Sequence, residues 1–307
     1  MPIHYPDILS EASERRSFSY TTKDAILYAL SIGMGEDAGG LPFVYEQGLQ
    51  LVPTAVTVLG GSIMPPLVPG PGLRKSSFDF PKVVHGEQEI IIYRPLRPAD
   101  TLFTSTRTLS VEDKGEGRGA VVVTETRWTD ADGADVAALV NTIFARGDGG
   151  FGGPRAERAQ LAGEPARAPD ISVTMPTRRD QALLYRLNGD GNPLHADPAA
   201  AARVGFPGPI MHGLCTFGMT CRAILQHVVG YDGSRIFSHG ARFTAPLFPG
   251  ETLRIDLWID SDIVDFKATA VERDIAVIRN GCTALRPATT PPEAAEASAG
   301  ATAPGIS

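Results

Sequence analysis

Residues 185–219 read YRLNGDGNPLHADPAAAARVGFPGPIMHGLCTFGM, and the rest of the chain is organised around them. The pattern Gly-Asp-x-Asn-Pro-x-His puts Asp190, Asn192 and His195 close together in the chain. Pro193 fixes its own φ and pushes Asn192 away from the helical region. Gly189 and Gly191 permit tight backbone geometry on either side of Asp190. The reading is a rigid, irregular loop that presents a carboxyl and an imidazole together and can hold and deprotonate water. Alone, an Asp in Gly-Asp-Gly is as readily a simple turn residue; its spacing to Asn192 and His195 favours chemistry. His212-Gly213-Leu214 then opens a long amphipathic helix. The free N–H groups of a helix start can hold a developing negative oxygen. A water-activating pair beside an oxyanion site predicts addition or removal of water next to a carbonyl.

The helix is expected over 211–229, with Leu214, Phe217, Cys221, Ile224, Leu225 and Val228 along its buried stripe. Gly230 supplies the stop. Strands follow near 236–244, 252–259, 264–272 and 275–285, from their β-branched or alternating patterns. Upstream, Thr177-Arg-Arg-Asp180 resembles a helix cap before QALLYRL.

The first half has the same plan. After an extended lead-in over 1–19, Thr21-Thr-Lys-Asp24 caps AILYALSIG, and Pro53 and Gly60-Gly61 bracket a candidate buried helix, TAVTVL. Residues 62–82 look irregular. Strands are expected near 87–93, 101–111, 120–128 and 136–145. Landmarks recur: Leu-Tyr-x-Leu at 27–30 and 184–187, Pro-Leu-x-Pro-x-x-Thr-Leu at 95–102 and 246–253, and His85-Gly86 against His239-Gly240. Similar offsets at separate landmarks indicate a duplication. In that register Gly33 stands opposite Asp190 and Gly35 opposite Asn192. The first half therefore lacks the acid and base, and one active site per chain is expected.

The bulk numbers are those of a globular chain: 307 residues, 43% hydrophobic and 21% charged, with a net charge of −7. The negative charge argues against a nucleic-acid or anionic-membrane partner. Three cysteines without metal-ligand spacing suggest a reducing, cytoplasmic compartment. No signal-peptide core or membrane-length apolar run is visible. The Gly-rich stretch at 148–153 lacks the Lys-Ser/Thr of a phosphate loop and reads as a strand exit. His195 and His212 have no third ligand at helical spacing, so no metal is expected.

The long ordered motif resembles the MaoC-like hydratase family, specifically (R)-specific 2-enoyl-CoA hydratase, or hydratase 2. The resemblance covers about 18–286. Its first-half marks are YTTKDAILYALSIG, His85-Gly-Glu-Gln88 and Gly149-Gly-Phe-Gly-Gly153; ARF at 241–243 and the closing strands complete it. It implies an α+β double hot-dog fold, two pseudo-repeats each with a sheet around a long helix. On this chain it implies an N-terminal substrate-covering half over 1–147 and a catalytic half over 171–286; composition marks a linker over 148–170 and a disordered Ala/Pro-rich tail over 287–307. The implied reaction is reversible addition of water to a trans-2-enoyl-CoA, giving a (3R)-3-hydroxyacyl-CoA in fatty-acid or sterol side-chain β-oxidation. The substrate carries the CoA, and no cofactor is implied; a homodimer is.

By the same resemblance, Asp190 and His195 are the catalytic pair, Asn192 helps hold the water and the Gly213 N–H meets the thioester oxygen. His85, Gly86, Lys114 and Phe243 contact the thioester together with the loop Asp190, Gly191, Asn192, Pro193, Leu194 and His195. His195 is assigned to the attacking water and Asp190 to the C2 proton, although the sequence leaves that order open. His212 reads as structural. Many relatives carry a bulky residue, often Trp, where this chain has Gly191, which bears on acyl-chain preference. Competing readings are a 3-hydroxyacyl dehydratase acting on an acyl-carrier protein, a thioesterase, and a catalytically silent acyl-CoA-binding subunit.

Overall fold

One antiparallel sheet of ten strands runs through the computed structural model of the chain, which describes residues 3–10, 12–60, 78, 82–155 and 163–287. In chain order the strands are β1 (Arg16–Tyr20), β2 (Val83–Ile92), β3 (Asp100–Asp113), β4 (Ala120–Thr129), β5 (Asp135–Ala145), β6 (Ile171–Pro176), β7 (Ile236–Phe243), β8 (Thr252–Asp260), β9 (Ile263–Ala270) and β10 (Ile275–Leu285). Their spatial order is β1-β3-β4-β5-β2-β7-β10-β9-β8-β6. Read inward from either edge, the order is the same, with β1 matching β6 and β2 matching β7. The two copies meet where β2 pairs with β7, Glu87 facing Arg242 and Ile91 facing Ser238.

The helices are α1 (Thr22–Ser31), α2 (Val56–Leu59), α3 (Gln181–Tyr185), α4 (Pro198–Arg203) and α5 (Gly213–His227). Every residue of α5 from Leu214 to Leu225 is buried. A helix enclosed all round is a core helix, so α5 presents more than the single stripe its periodicity suggests. Phe217, Ile224 and Leu225 have no exposure; burying each contributes about 1.5–3 kcal/mol. Polar residues inside this helix are satisfied: the Thr220 hydroxyl donates to the Phe217 carbonyl at 2.7 Å, and Arg222 reaches the Ile32 carbonyl and Glu36 of the first half.

The first-half cap forms as expected: the Asp24 carboxylate accepts the Thr21 N–H at 2.8 Å and Thr21 accepts from the Asp24 N–H. The second-half cap does not. Thr177 donates instead to the Glu251 carbonyl at 2.7 Å, and α3 starts at Gln181, whose side chain accepts the Arg178 N–H. Pulling Thr177 onto the neighbouring turn leaves Asp180 as a cap without a side-chain bond.

The first half's central helix is also shorter than the duplication implies. Among the described residues it is a 3-10 turn, Pro53–Ala55, followed by the four residues of α2. The lead-in contains β1, and β6 precedes α3; both are short edge strands that the pattern did not reveal. Residues 156–162 of the expected linker and 288–307 of the expected tail lie outside the described residues. The preceding stretch, 148–155, packs on the end of β3. There Asp113 accepts N–H groups from Gly115, Gly150 and Gly152 at 2.7–2.8 Å. The Gly-rich segment thus holds an anion after all, the chain's own carboxylate.

Candidate active site

The loop after α3 is built by its own side chains. Gly189 takes φ of 110° to end the helical turn Arg186–Asn188. Asp190 Oδ1 then accepts the Asn192 N–H at 3.0 Å, and Asn192 Oδ1 accepts the Leu194 N–H at 3.0 Å. These two side-chain turns deliver the chain into a 3-10 turn, Pro193–His195. Asn192 therefore shapes the loop, while Gly191, Asn192 and Pro193 lie on the exposed side and Leu194 is half-buried.

His195 points inward. It is 9% exposed, and its Nδ1 lies 2.9 Å from the Ile210 carbonyl. A carbonyl only accepts, so Nδ1 carries the proton and Nε2 is left with a lone pair. Burial holds the His195 pKa below the ordinary imidazole value, against the opposing pull of the Ile210 carbonyl and Asp190. This histidine is a neutral base at neutral pH.

The fold brings in His212, which sequence reasoning placed outside the chemistry. Its ring lies 3.7 Å from that of His195, with the planes 24° apart. Its Nε2 is 3.9 Å from Asp190 Oδ2, too long for a hydrogen bond. Both ring nitrogens are buried and without a hydrogen-bond partner among the described residues. Burial first, then the adjacent His195, push its pKa down to about 3. The available signal was its position one residue before the helix start.

Asp190, His195 and His212 offer one polar atom each, all within 4.8 Å of one another. The third group missing from the sequence argument against a metal is thus supplied through space by Asp190. The rings still do not suit one. A metal bonds in the plane of an imidazole at about 2 Å from nitrogen, and two nearly parallel planes 3.7 Å apart share no such point. A water oxygen at about 2.8 Å can reach all three atoms.

His212 is the N-cap of α5, and Gly213 is its first residue. The first N–H groups of a helix have no acceptor one turn back, so the Gly213 N–H is free to face a ligand. A Cβ on Gly213 would lie 3.4 Å from the Phe243 ring. Phe243 in turn lies 4.9 Å from the ring of His85. The β2–β7 seam thereby carries His85 of the first half to the helix start of the second. His85 bonds the Glu87 carbonyl at 3.1 Å across the bulge at Gly86. Enclosure drops its pKa to about 4, against the pull of that carbonyl.

Lys114 is paired with Glu112 at 2.6 Å at the far end of β3; no contact among the described residues joins it to this cluster. Arg94 and Arg242 are likewise paired, with Asp130 and Glu87. A cavity of about 410 Å³ opens against His195, walled by Arg179, Leu183, Pro209 and Phe248. In the first half, the place opposite Asp190 is Gly33, and the Arg222 guanidinium lies against it, donating to Glu36 at 2.8 Å. Among the described residues that place holds this ion pair and no carboxyl–imidazole pair.

The family model described as a MaoC like domain matches residues 160–280, and that described as an MFE-2 hydratase 2 N-terminal domain matches 18–147. The chain is 39% identical to enoyl-CoA hydratase ChsH3 of Mycobacterium tuberculosis, over 92% of this chain and 98% of that one. It is 40% identical to 3-hydroxyacyl-thioester dehydratase Y of the same organism, over 82% and 87%. Among solved structures, a MaoC-like dehydratase from Phytophthora capsici superposes with a TM-score of 0.83 at 32% identity, covering 92% of this chain and 98% of that chain. The full-length peroxisomal multifunctional enzyme type 2 of Drosophila melanogaster superposes with a TM-score of 0.76 at 37% identity, covering 90% and 48%.

Proposed function

The chain belongs to the MaoC-like hydratase 2 family with its double hot-dog fold, and from that premise we propose how its residues carry the family's reaction. It is an enoyl-CoA hydratase, adding water reversibly across trans-2-enoyl-CoA to give (3R)-3-hydroxyacyl-CoA in β-oxidation. The observation that carries the site reading is the cluster of Asp190, His195 and His212, spaced to hold one water beside the helix N-terminus at Gly213.

With the thioester oxygen at the Gly213 N–H, electron density withdrawn from the double bond leaves C3 open to attack. His195 Nε2 takes a proton from the held water as its oxygen bonds to C3. Asp190 delivers a proton to C2. Transfer of the proton from His195 to Asp190 across the cluster restores the starting state. The net change is one water added, with no redox step and no cofactor beyond the CoA of the substrate. Asn192 fixes the loop, while His85 and Phe243 wall the thioester side. Gly191, Pro193 and Leu194 border the entry, and Gly86 lets the chain bulge at His85. Lys114 is proposed to meet the CoA moiety from the first half.

A Cβ at Gly191 would meet nothing within 4 Å, which suits a bulky acyl group, including a sterol side chain. A cytoplasmic homodimer belongs to the same proposal; three free cysteines suit a reducing compartment. No helix among the described residues is long and apolar enough to cross a membrane.

The test is the product formed from trans-2-decenoyl-CoA in ¹⁸O-labelled water. Label on the C3 hydroxyl of the (3R) product supports the reading. The (3S) product, or release of free CoA thiol instead, contradicts it.

A further inference from the structure

A second cavity, of about 300 Å³, is lined by Leu49, Leu51, Pro53, Ile92 and Leu96 of the first half and by Arg286 of the second, with Asp232–Ser234 at its rim. It is far from the catalytic cluster. Ile92 ends β2, whereas His85 near its start faces Phe243 beside the active site; seven residues of strand span about 23 Å. The rim follows the C-terminal end of α5, whereas Gly213 begins it; fifteen helical residues span about 22 Å.

Part of the cavity wall repeats part of the catalytic half. Pro95-Leu96 in its wall repeats Pro246-Leu247, and the Leu247 carbonyl accepts the Met211 N–H just before α5. Pro53 opens the helical segment that corresponds to α5. The wall also carries one cation. Arg286 Nη1 donates to the Ser234 and Ile236 carbonyls, each at 2.9 Å, and Nη2 donates to the Ile92 carbonyl. A guanidinium has five N–H donors, so two remain. No carboxylate lies within ion-pair distance of it among the described residues. Asp232, the other charged group in the wall, commits Oδ1 to the N–H and hydroxyl of Ser234.

We propose that this cavity is a second binding site, which takes a small carboxylic acid with a compact apolar body and holds its carboxylate on Arg286. Arg286 is the one cation of a wall that also holds Asp232, which disfavours a highly charged ligand such as a phosphate. A volume near 300 Å³ is the room of about ten waters, hence of an acid with about ten non-hydrogen atoms. Guanidinium–carboxylate hydrogen bonds are charge-assisted and discriminate sharply against neutral isosteres.

Calorimetric titration of the full chain with cyclohexanecarboxylate, beside cyclohexanecarboxamide, tests this. One acid bound per chain is expected, with the amide weaker by at least about tenfold. Leu96→Trp fills the cavity without removing the Arg286 bonds and should weaken binding by a similar factor at unchanged Tm. Arg286→Gln should do the same, but it also releases three carbonyls, so the Leu96 variant is the deciding one. Hydration of crotonyl-CoA should be unaffected by saturating acid. No binding at millimolar acid, equal binding of acid and amide, full binding to Leu96→Trp, or competition with the enoyl-CoA would each overturn the proposal. Absent hydration alone would leave the titration result standing and count only against the catalytic reading.

Discussion

The imidazoles of His195 and His212 lie face to face, 3.7 Å between ring centroids, with Asp190 Oδ2 3.9 Å from His212 Nε2. Two stacked imidazolium ions at this distance repel each other, so at most one ring of the pair is charged. The pair is poised to pass a proton without accumulating two. Replacing His212 by Phe keeps the stack and removes two buried nitrogens that no protein group satisfies. Stability should hold or rise. If those nitrogens hold the reacting water, kcat should fall at least about tenfold; an unchanged kcat with unchanged Tm would return His212 to a packing role.

The rate should have an acidic limb set by His195. Burial lowers its pKa from the ordinary value, so the ring is neutral and able to accept a proton above that point. Activity is therefore full at neutral pH and falls as pH drops through the lowered pKa. A pH profile of kcat/KM checks this, and His195→Gln should remove the limb along with most of the rate.

Acid should also weaken the fold before the carboxylates titrate. His239 has no exposure, lies between the Thr220 and Thr283 hydroxyls at 3.1 and 2.7 Å, and is pushed by burial to about 3. His212 is pushed to a similar value. Both folded pKa values are depressed, so the unfolded chain binds more protons between about pH 3 and 6.5. Stability is full above about 6.5 and declines below it, by about 2 kcal/mol per such histidine at pH 5. Thermal melts between pH 7 and 5 should show the decline, with a shallower slope in His239→Gln.

Gly213→Pro isolates the oxyanion contact. Proline is accommodated at the first position of a helix because that N–H has no helical acceptor. The preceding His212 already has φ of −60° and ψ of 131°, values compatible with a following proline. The Cβ would meet Phe243 at 3.4 Å, an ordinary contact. Folding should survive, while kcat falls by about a hundredfold or more. A variant that folds and retains its rate would place the oxyanion elsewhere.

Much of this site was legible because its signals are local. Gly189, Pro193 and the Asp-x-Asn spacing dictate the loop, and β10 spans the residues its alternation marks. The hidden parts depend on partners distant in sequence. The strands β1 and β6 are short, with one face exposed at the sheet edge. Thr177 left its cap for a turn more than seventy residues away. His212 gained its place only when Asp190 and His195 folded onto it, and His85 reached Phe243 only through the β2–β7 seam.

The most direct measurement is the loss of enoyl-thioester absorbance when the purified chain meets crotonyl-CoA and trans-2-decenoyl-CoA, beside Asp190→Asn and His195→Gln. Rapid loss is expected with the wild-type chain, and rates at least about a hundredfold lower in both variants at unchanged Tm. Rapid loss that survives either substitution, or no loss with either thioester from the folded wild-type chain, would contradict hydration by Asp190 and His195.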